Sequence, residues 1–313
     1  MKKTLSLLGL VLALVASSHA AGEKIAVIPK GTTHNFWKSV EAGARQAGTE
    51  LGVEIIWKGP LKEDDRAQQI GVVQDFVASA VSGIVLAPSD ETALRGPVRS
   101  AAAHNIPVVI IDSSLKGEVG KDFISYVATD NHHGGELGGE ELARLLGGKG
   151  KVVLLRCAEG QASTSAREAG FLASMARHPG ITVIMQNRYG GATVSSAQDA
   201  AMNLIDKLRE ADGIFTPNES TTQGMLLALR QTGLIGKKTF VGFDTSPPLL
   251  AAMGKGEIAA LVAQNPTRMG YLGVVTAVKA IRGEKYETAI DTGCVLVTMV
   301  NRHTPEVEAV VGK

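Results

Sequence analysis

The sequence predicts an α/β protein built as two doubly wound parallel-sheet lobes, and three observations carry that expectation. Four β-branched apolar runs break directly into polar or aromatic loops: IAVIPKGTTHNFW, VVIIDSS, IFTPNES and FVGFDTSP. Short apolar runs alternate with amphipathic stretches along most of the chain, the pattern of repeated βαβ units. The length of 313 residues, with 36 glycines, exceeds one average domain and suits two of ~100–150 residues with many tight strand-to-helix turns. Open parallel sheets hold ligands beyond the carboxyl ends of their strands, so polar residues recurring there point to a cleft for a small molecule.

The first residues follow a different physics. Lys2 and Lys3 precede an apolar run from Leu5 to Ala16, followed by Ser17-Ser18-His19-Ala20. A charged start, an apolar stretch too short for a bilayer and small residues at a cut site predict a signal peptide over 1–20. The mature chain is then expected to begin at Ala21 and to be exported to a periplasm. Without Lys2 and Lys3, 30 basic residues face 31 acidic ones, so no basic field exists to attract nucleic acid. The run Lys62, Glu63, Asp64 and Asp65 reads as a solvated face. Cys157 and Cys294 lie in the strand-like runs VVLLRC and CVLVT. Either they pair, which needs Cα atoms within about 7 Å, or they remain as two buried thiols.

In chain order, strands are expected at 24–29, 53–57, 83–87 and 106–111, alternating with helices at 35–51, 66–80 and 91–104. Asn35 is expected to cap the first helix. Ile70, Val73, Phe76 and Val77 line one face of the second, and Pro107 sits at the opening of a strand, where its missing N–H costs little. A second series starts near Asp130, with helices at 134–146, 163–177, 195–210 and 221–231 and strands at 152–155, 181–186, 213–216 and 239–243. The last third is less regular, with strands at 259–263 and 294–300 around a helix at 266–282.

The motifs of cofactor and metal chemistry do not occur. Strand 1 ends in IPKGTTHNFW instead of GxGxxG, and GxxxxGK[ST], GxSxG and HExxH are also missing. His132 and His133 are adjacent, so on a helix they diverge by about 100° and share no metal comfortably. The reading is a binding protein without cofactor or metal, and not an enzyme.

The loops instead carry the chemistry of polyol recognition. Asp112 and Asp244 each follow a strand directly, where a carboxylate can accept charge-assisted bonds from neighbouring hydroxyls; either can equally be the N-cap of a following helix. Arg167, near the loop EGQASTSAR, offers five donors in a fork, or a surface ion pair. Asn218 and Gln264 follow strands and supply both donor and acceptor. Phe36 and Trp37 can cover the C–H face of a sugar ring, or belong to the core.

Taken together, IAVIPKGTTHNFWKSVEAGA, IPVVIIDSS, YVATDNHHGG, STSAREAGF, IFTPNES, FVGFDTSP and LVAQNP resemble the periplasmic sugar-binding proteins of the ribose-binding type, the type I fold that serves ABC importers. The resemblance spans the mature chain. It implies lobes of 21–130 plus 265–292 and 131–264 plus 293–313, with the chain crossing near Asp130, Gln264 and Thr292. It matches Phe36 and Trp37 to the aromatic pair flanking the ring, Asp112 to the first lobe's carboxylate and Arg167 to the second lobe's arginine. Asn218, Asp244 and Gln264 match the residues completing the hydroxyl network, and Tyr189 lies where a further aromatic often closes the pocket. A monomer that closes on a monosaccharide and is read by a membrane permease, and by a chemoreceptor or sensor kinase, is the implied mode of action.

Two positions depart from the ribose pattern. Ser113 stands where ribose binders usually carry an arginine, and Lys30 where they carry a small polar residue. The IPK ending also resembles the autoinducer-2 binders, in which that lysine and the first-lobe Asp touch the ligand. A lactose-repressor-type regulator would need an N-terminal helix-turn-helix where this chain has its leader. A carbohydrate-cleaving enzyme would need Asp112 and Asp244 about 5–9 Å apart across a shared bond.

Overall fold

The computed structural model describes residues 22–311, so the expected signal peptide lies outside the described residues. The chain runs β1 (Lys24–Ile28), α1 (Asn35–Leu51), β2 (Glu54–Trp57), α2 (Arg66–Ala78), β3 (Gly83–Leu86), α3 (Arg95–Ala103), β4 (Val108–Ile111) and β5 (Ser125–Ala128). It continues through α4 (Asn131–Leu145), β6 (Lys149–Arg156), α5 (Ala162–Ala176), β7 (Gly180–Tyr189), α6 (Val194–Met202), α7 (Ile205–Glu210), β8 (Gly213–Phe215), α8 (Glu219–Gln231) and β9 (Thr239–Phe243). The last part is α9 (Pro247–Gly254), β10 (Ala260–Gln264), α10 (Pro266–Ile281), β11 (Ala289–Asp291), β12 (Cys294–Val297) and α11 (Pro305–Val311).

The strands form two six-stranded sheets, ordered β11-β5-β4-β3-β1-β2 and β12-β10-β9-β8-β6-β7. Every pairing is parallel except β10 with β12. Apart from β11 and β12, both sheets share one order, with the second strand outside the first and the rest added on the other side. The strand order therefore reverses between β1 and β3 in one sheet and between β6 and β8 in the other, the place where such sheets open a crevice. The chain passes from the first sheet to the second after β5, back after β10, and across once more between β11 and β12. This is the doubly wound, two-lobed, type I architecture expected from the alternation of apolar runs.

Helix contact without side chains sets the angle of the site-bearing helices, and it does so identically in each lobe. A Cβ on Gly43 of α1 would lie 1.9 Å from the Thr267 carbonyl oxygen, and one on Gly270 of α10 would lie 2.0 Å from that of Val40. In the other lobe a Cβ on Gly135 of α4 would meet the Arg167 carbonyl oxygen at 1.9 Å, and one on Gly170 of α5 that of His132 at 2.0 Å. The paired helices therefore touch backbone to backbone, with glycine the sole residue that fits.

Several local expectations change. Asn35 is the first helical residue, not the cap; His34 holds the N-cap position and makes no side-chain capping bond. The helix expected over 195–210 is two helices broken at Asn203–Leu204. Short β5 and β11, together with α9 and α11, are additional elements, too brief to show a periodicity. Cys157 and Cys294 are free thiols. No helix among the described residues is long and apolar enough to cross a membrane.

Gly170→Ala is expected to force α4 and α5 apart and to cost about 3 kcal/mol or more, since overpacking against backbone has no rotamer that relieves it. Chemical denaturation of the purified variant measures this directly.

Candidate functional site

Between the sheets, loops from the carboxyl ends of strands in both lobes frame a narrow cleft with about 20 Å³ of cavity, room for about one water and far below the ~300 Å³ or more of a ligand site, so the lobes must part to admit a ligand. Lys30, Phe36, Trp37, Asp112, Arg167, Asn218, Asp244 and Gln264 all line it. An open groove of about 740 Å³ beside it shares Phe36, Glu219, Asp244 and Gln264 as a wall. That groove lacks Lys30, Asp112 and Arg167, so the convergent charges belong to the smaller space.

The two aspartates occupy corresponding places. Asp112 follows β4 with φ 61°, and Asp244 follows β9 with φ 70°, a left-handed backbone that aspartate tolerates better than most residues. Neither caps a helix, since α9 has Ser246 at its N-cap position. The sharp reversal aims each carboxylate into the cleft instead of along the strand.

Lys30 Nζ lies 2.6 Å from Asp112 Oδ2, with both side chains almost fully buried. The contact is an ion pair without hydrogen-bond alignment, and Oδ2 has no hydrogen-bond partner. Lys30 Nζ also donates to Ser163 Oγ of the opposite lobe at 2.8 Å. Ser113 Oγ accepts from the Ser163 backbone N–H at 3.0 Å, so the position that departs from the ribose pattern joins the lobes through a neutral bond.

Arg167 sits within α5 and is buried. Its guanidinium donates to Asn131 Oδ1 at 2.8 Å, to the Pro217 carbonyl at 3.0 Å and to Gln264 Oε1 at 2.7 Å. It stacks on the Phe243 ring with Cζ 4.1 Å from the centroid. Gln264 passes the polarity on, donating from Nε2 to Asp244 Oδ1 at 2.7 Å. Burial pushes the Asp244 carboxyl up to about 6, against the opposing pull of Arg167 and Gln264. Asn218 caps α8, its Oδ1 accepting from the Thr221 N–H at 3.2 Å, while its side chain still faces the cavity.

Phe36 and Trp37 meet edge to face, with centroids 4.9 Å apart. Trp37 is also core, fully buried, and its Nε1 donates to Glu63 Oε1 at 2.6 Å. Glu63 corrects the sequence reading: within a run expected to be a solvated face, it is 6% exposed and lies 3.0 Å from His34 Nδ1. Burial opposes charge on both. The attraction and hydrogen bond between them override it, lifting His34 to about 9 and holding Glu63 down to about 2.

Tyr189 is a second correction. It ends the edge strand β7, is 41% exposed, and rests near Arg156, whose Cζ is 5.9 Å from the ring centroid. It is not part of the cavity lining. The sequence reading missed His34, Glu63, Gln161, Ser163, Thr164 and Glu219, all of which line the space. Their placement beside β1 and in the polar loops was the available signal. Gln161 Nε2, buried, has no hydrogen-bond partner. No cluster of His, Cys, Asp or Glu among the described residues is arranged to hold a metal.

With this geometry in place, the chain matches the periplasmic binding protein domain family over residues 25–285 and belongs to it. It is 29% identical to the ribose import binding protein RbsB of Escherichia coli (strain K12) over 294 residues, covering 92% of this chain and 95% of the relative. It superposes with a TM-score of 0.84 and 37% identity on the periplasmic component of an ABC-type sugar transport system from Hahella chejuensis, covering 88% of this chain and 99% of the other. A carbohydrate transporter solute binding protein from Agrobacterium radiobacter, in complex with D-arabinose, superposes with a TM-score of 0.89 at 34% identity, covering 94% and 100%.

The His34–Glu63 pair carries a definite pH signature. His34, raised from 6.5 to about 9, contributes stability that is complete below pH 6.5 and lost as pH rises through 9. Glu63, lowered from 4.5 to about 2, contributes above pH 4.5 and loses it as pH falls through 2. The urea midpoint of the wild type should therefore exceed that of Glu63→Gln most near pH 5–6, and the gap should shrink as pH is raised through 9.

Proposed function

We propose that this protein is an exported solute-binding protein that captures a monosaccharide between its lobes and delivers it to an ABC importer. The observation that carries the reading is the pair of strand-end aspartates, aimed from opposite lobes into one cleft beside Phe36, with a buried amide donor on Gln161 that the protein itself leaves unpaired. Gln161 Nε2 is buried without a hydrogen-bond partner, and Asp112 Oδ2 has only its ion pair with Lys30. A polyol hydroxyl can accept from the amide and donate to the carboxylate, and the cost of leaving a buried donor orphaned favours a ligand that does so.

In this reading Asp112 and Asp244 accept from hydroxyls, while Arg167 and Gln264 hold Asp244 in place. Lys30 and Asn218 complete the polar ring, Phe36 covers an apolar sugar face, and Trp37 backs it. Contacts from both lobes stabilise the closed form alone, so the ligand shifts the population toward closure. A permease, and a chemoreceptor or sensor kinase, would read the surface that closure creates. Residues 1–20 serve as the signal peptide, the destination is the periplasm, and the protein acts as a monomer without performing a reaction.

One observation favours a second ligand class. Lys30 beside Asp112 at 2.6 Å is the pair through which autoinducer-2 binders are expected to act. The sugar reading is preferred because Lys30 is already engaged by Asp112 and Ser163, and because the ligand-bound relative holds D-arabinose.

A thermal-shift screen of refolded protein against D-ribose, D-arabinose, D-allose, D-fucose, D-tagatose, myo-inositol and autoinducer-2 tests the proposal. A saturable rise with a sugar is expected; a rise with autoinducer-2 alone would overturn the sugar class. Asp244→Asn should weaken binding of that sugar by about 30-fold or more, the scale of losing one charged partner in a buried polar site, with an unchanged circular dichroism spectrum. Affinity of the wild type should also fall as pH drops below about 6, where Asp244 gains its proton.

A further inference from the structure

One buried carboxylate in the cleft is not used by the sugar network. Glu219 opens α8 in the second lobe, is 3% exposed, and reaches across to α1 in the first. Its Oε2 accepts from the Phe36 backbone N–H at 2.9 Å, and its Oε1 from the Asn35 backbone N–H and from Asn35 Nδ2, each at 3.2 Å. Helix α1 has no cap of its own. His34 makes no capping bond, and the first turn holds no acidic residue. The free N–H groups and positive dipole end of a first-lobe helix are thus satisfied by a carboxylate from the second lobe.

The same residue also touches the ligand side. The Glu219 backbone N–H donates to Asp244 Oδ2 at 2.7 Å, and Gln223 Nε2 holds Glu219 Oε1 from within its own helix at 3.1 Å. Other cross-lobe bonds among the described residues are of different kinds: Lys30 to Ser163, Ser163 to Ser113, Asn131 to the Asp112 carbonyl, Thr129 to Gln264, Arg66 to the Glu159 carbonyl, and Glu91 to the Gly160 carbonyl. None of them joins the backbone of an aromatic cavity residue to a site carboxylate.

We propose that Glu219 is a positioning residue that latches the closed cleft, seating Phe36 opposite Asp244 and setting how long a bound ligand stays. The proposal rests on the sugar-clamp reading. When the lobes part, the α1 N–H groups and the Glu219 carboxylate return to water, so the interaction belongs to the closed state and opposes opening. It contributes nothing to encounter, which occurs with the open form.

The signature is a split between rate constants. Stopped-flow fluorescence with whichever sugar of the panel above binds the wild type most tightly would compare wild type, Glu219→Gln and Glu219→Ala. Dissociation should accelerate by about 10-fold for Glu219→Gln, which keeps the shape and loses the charge, and by more for Glu219→Ala. Association should change less than about 3-fold, and the melting temperature of the ligand-free protein should stay at the wild-type value. Unchanged dissociation in Glu219→Gln and Glu219→Ala would overturn the latch while leaving sugar binding intact. A ligand-free melting temperature that falls in step with faster dissociation would also overturn it, marking Glu219 as ordinary packing. A wild type that binds no sugar of the panel would bring down the sugar reading and the latch with it.

Discussion

A buried charge must find a partner, and most of the cleft is organised by that requirement. Lys30 is held against Asp112, His34 against Glu63, and Glu219 against the open end of α1. Arg167 reaches Asp244 through Gln264. Each partnership joins segments far apart in the chain. Desolvation makes each group costly alone, so each needs its partner wherever it is buried. After this pairing Gln161 Nε2 has no partner and Asp112 Oδ2 only the Lys30 ion pair, and these atoms set what a ligand has to bring.

The frame that holds these charges is used twice. Both sheets share the same order through their first five strands, and both place an aspartate in a left-handed turn directly after the fourth. Both also bring a site-bearing helix against its neighbour through a pair of glycines, so that α1 and α5 lie as close to their partners as backbone permits. The close contact leaves little freedom in the position of Phe36 or Arg167. The two lobes differ in their cargo: the first contributes aromatic surface and the Lys30 and His34 pairs, the second the Arg167 network and Glu219.

Much of this was legible because it rests on local rules. A strand that ends in Asp-Ser or Asp-Thr before a turn advertises a polar group at a sheet edge, which located Asp112 and Asp244. Amphipathic spacing located α1 and α5. The failures have equally specific causes. Glu63 belongs to a run of charged residues, and burial of one member depends on His34 and Trp37 arriving from a different segment. Tyr189 was placed by the family resemblance, whereas its exposure follows from β7 being an edge strand. Asn35 looked like a cap by residue type, but its backbone and side chain are committed to Glu219.

The sequence by itself determined the alternation of elements, the lobe count and the residue types gathered at the strand ends, since periodicity and turn chemistry act over a few residues. Tertiary structure alone decided which charges neutralise which, which aromatic faces the cavity and which backs it, and which polar atoms remain unpaired. Those outcomes depend on ångström-scale distances between segments up to 184 residues apart, and no local pattern encodes them.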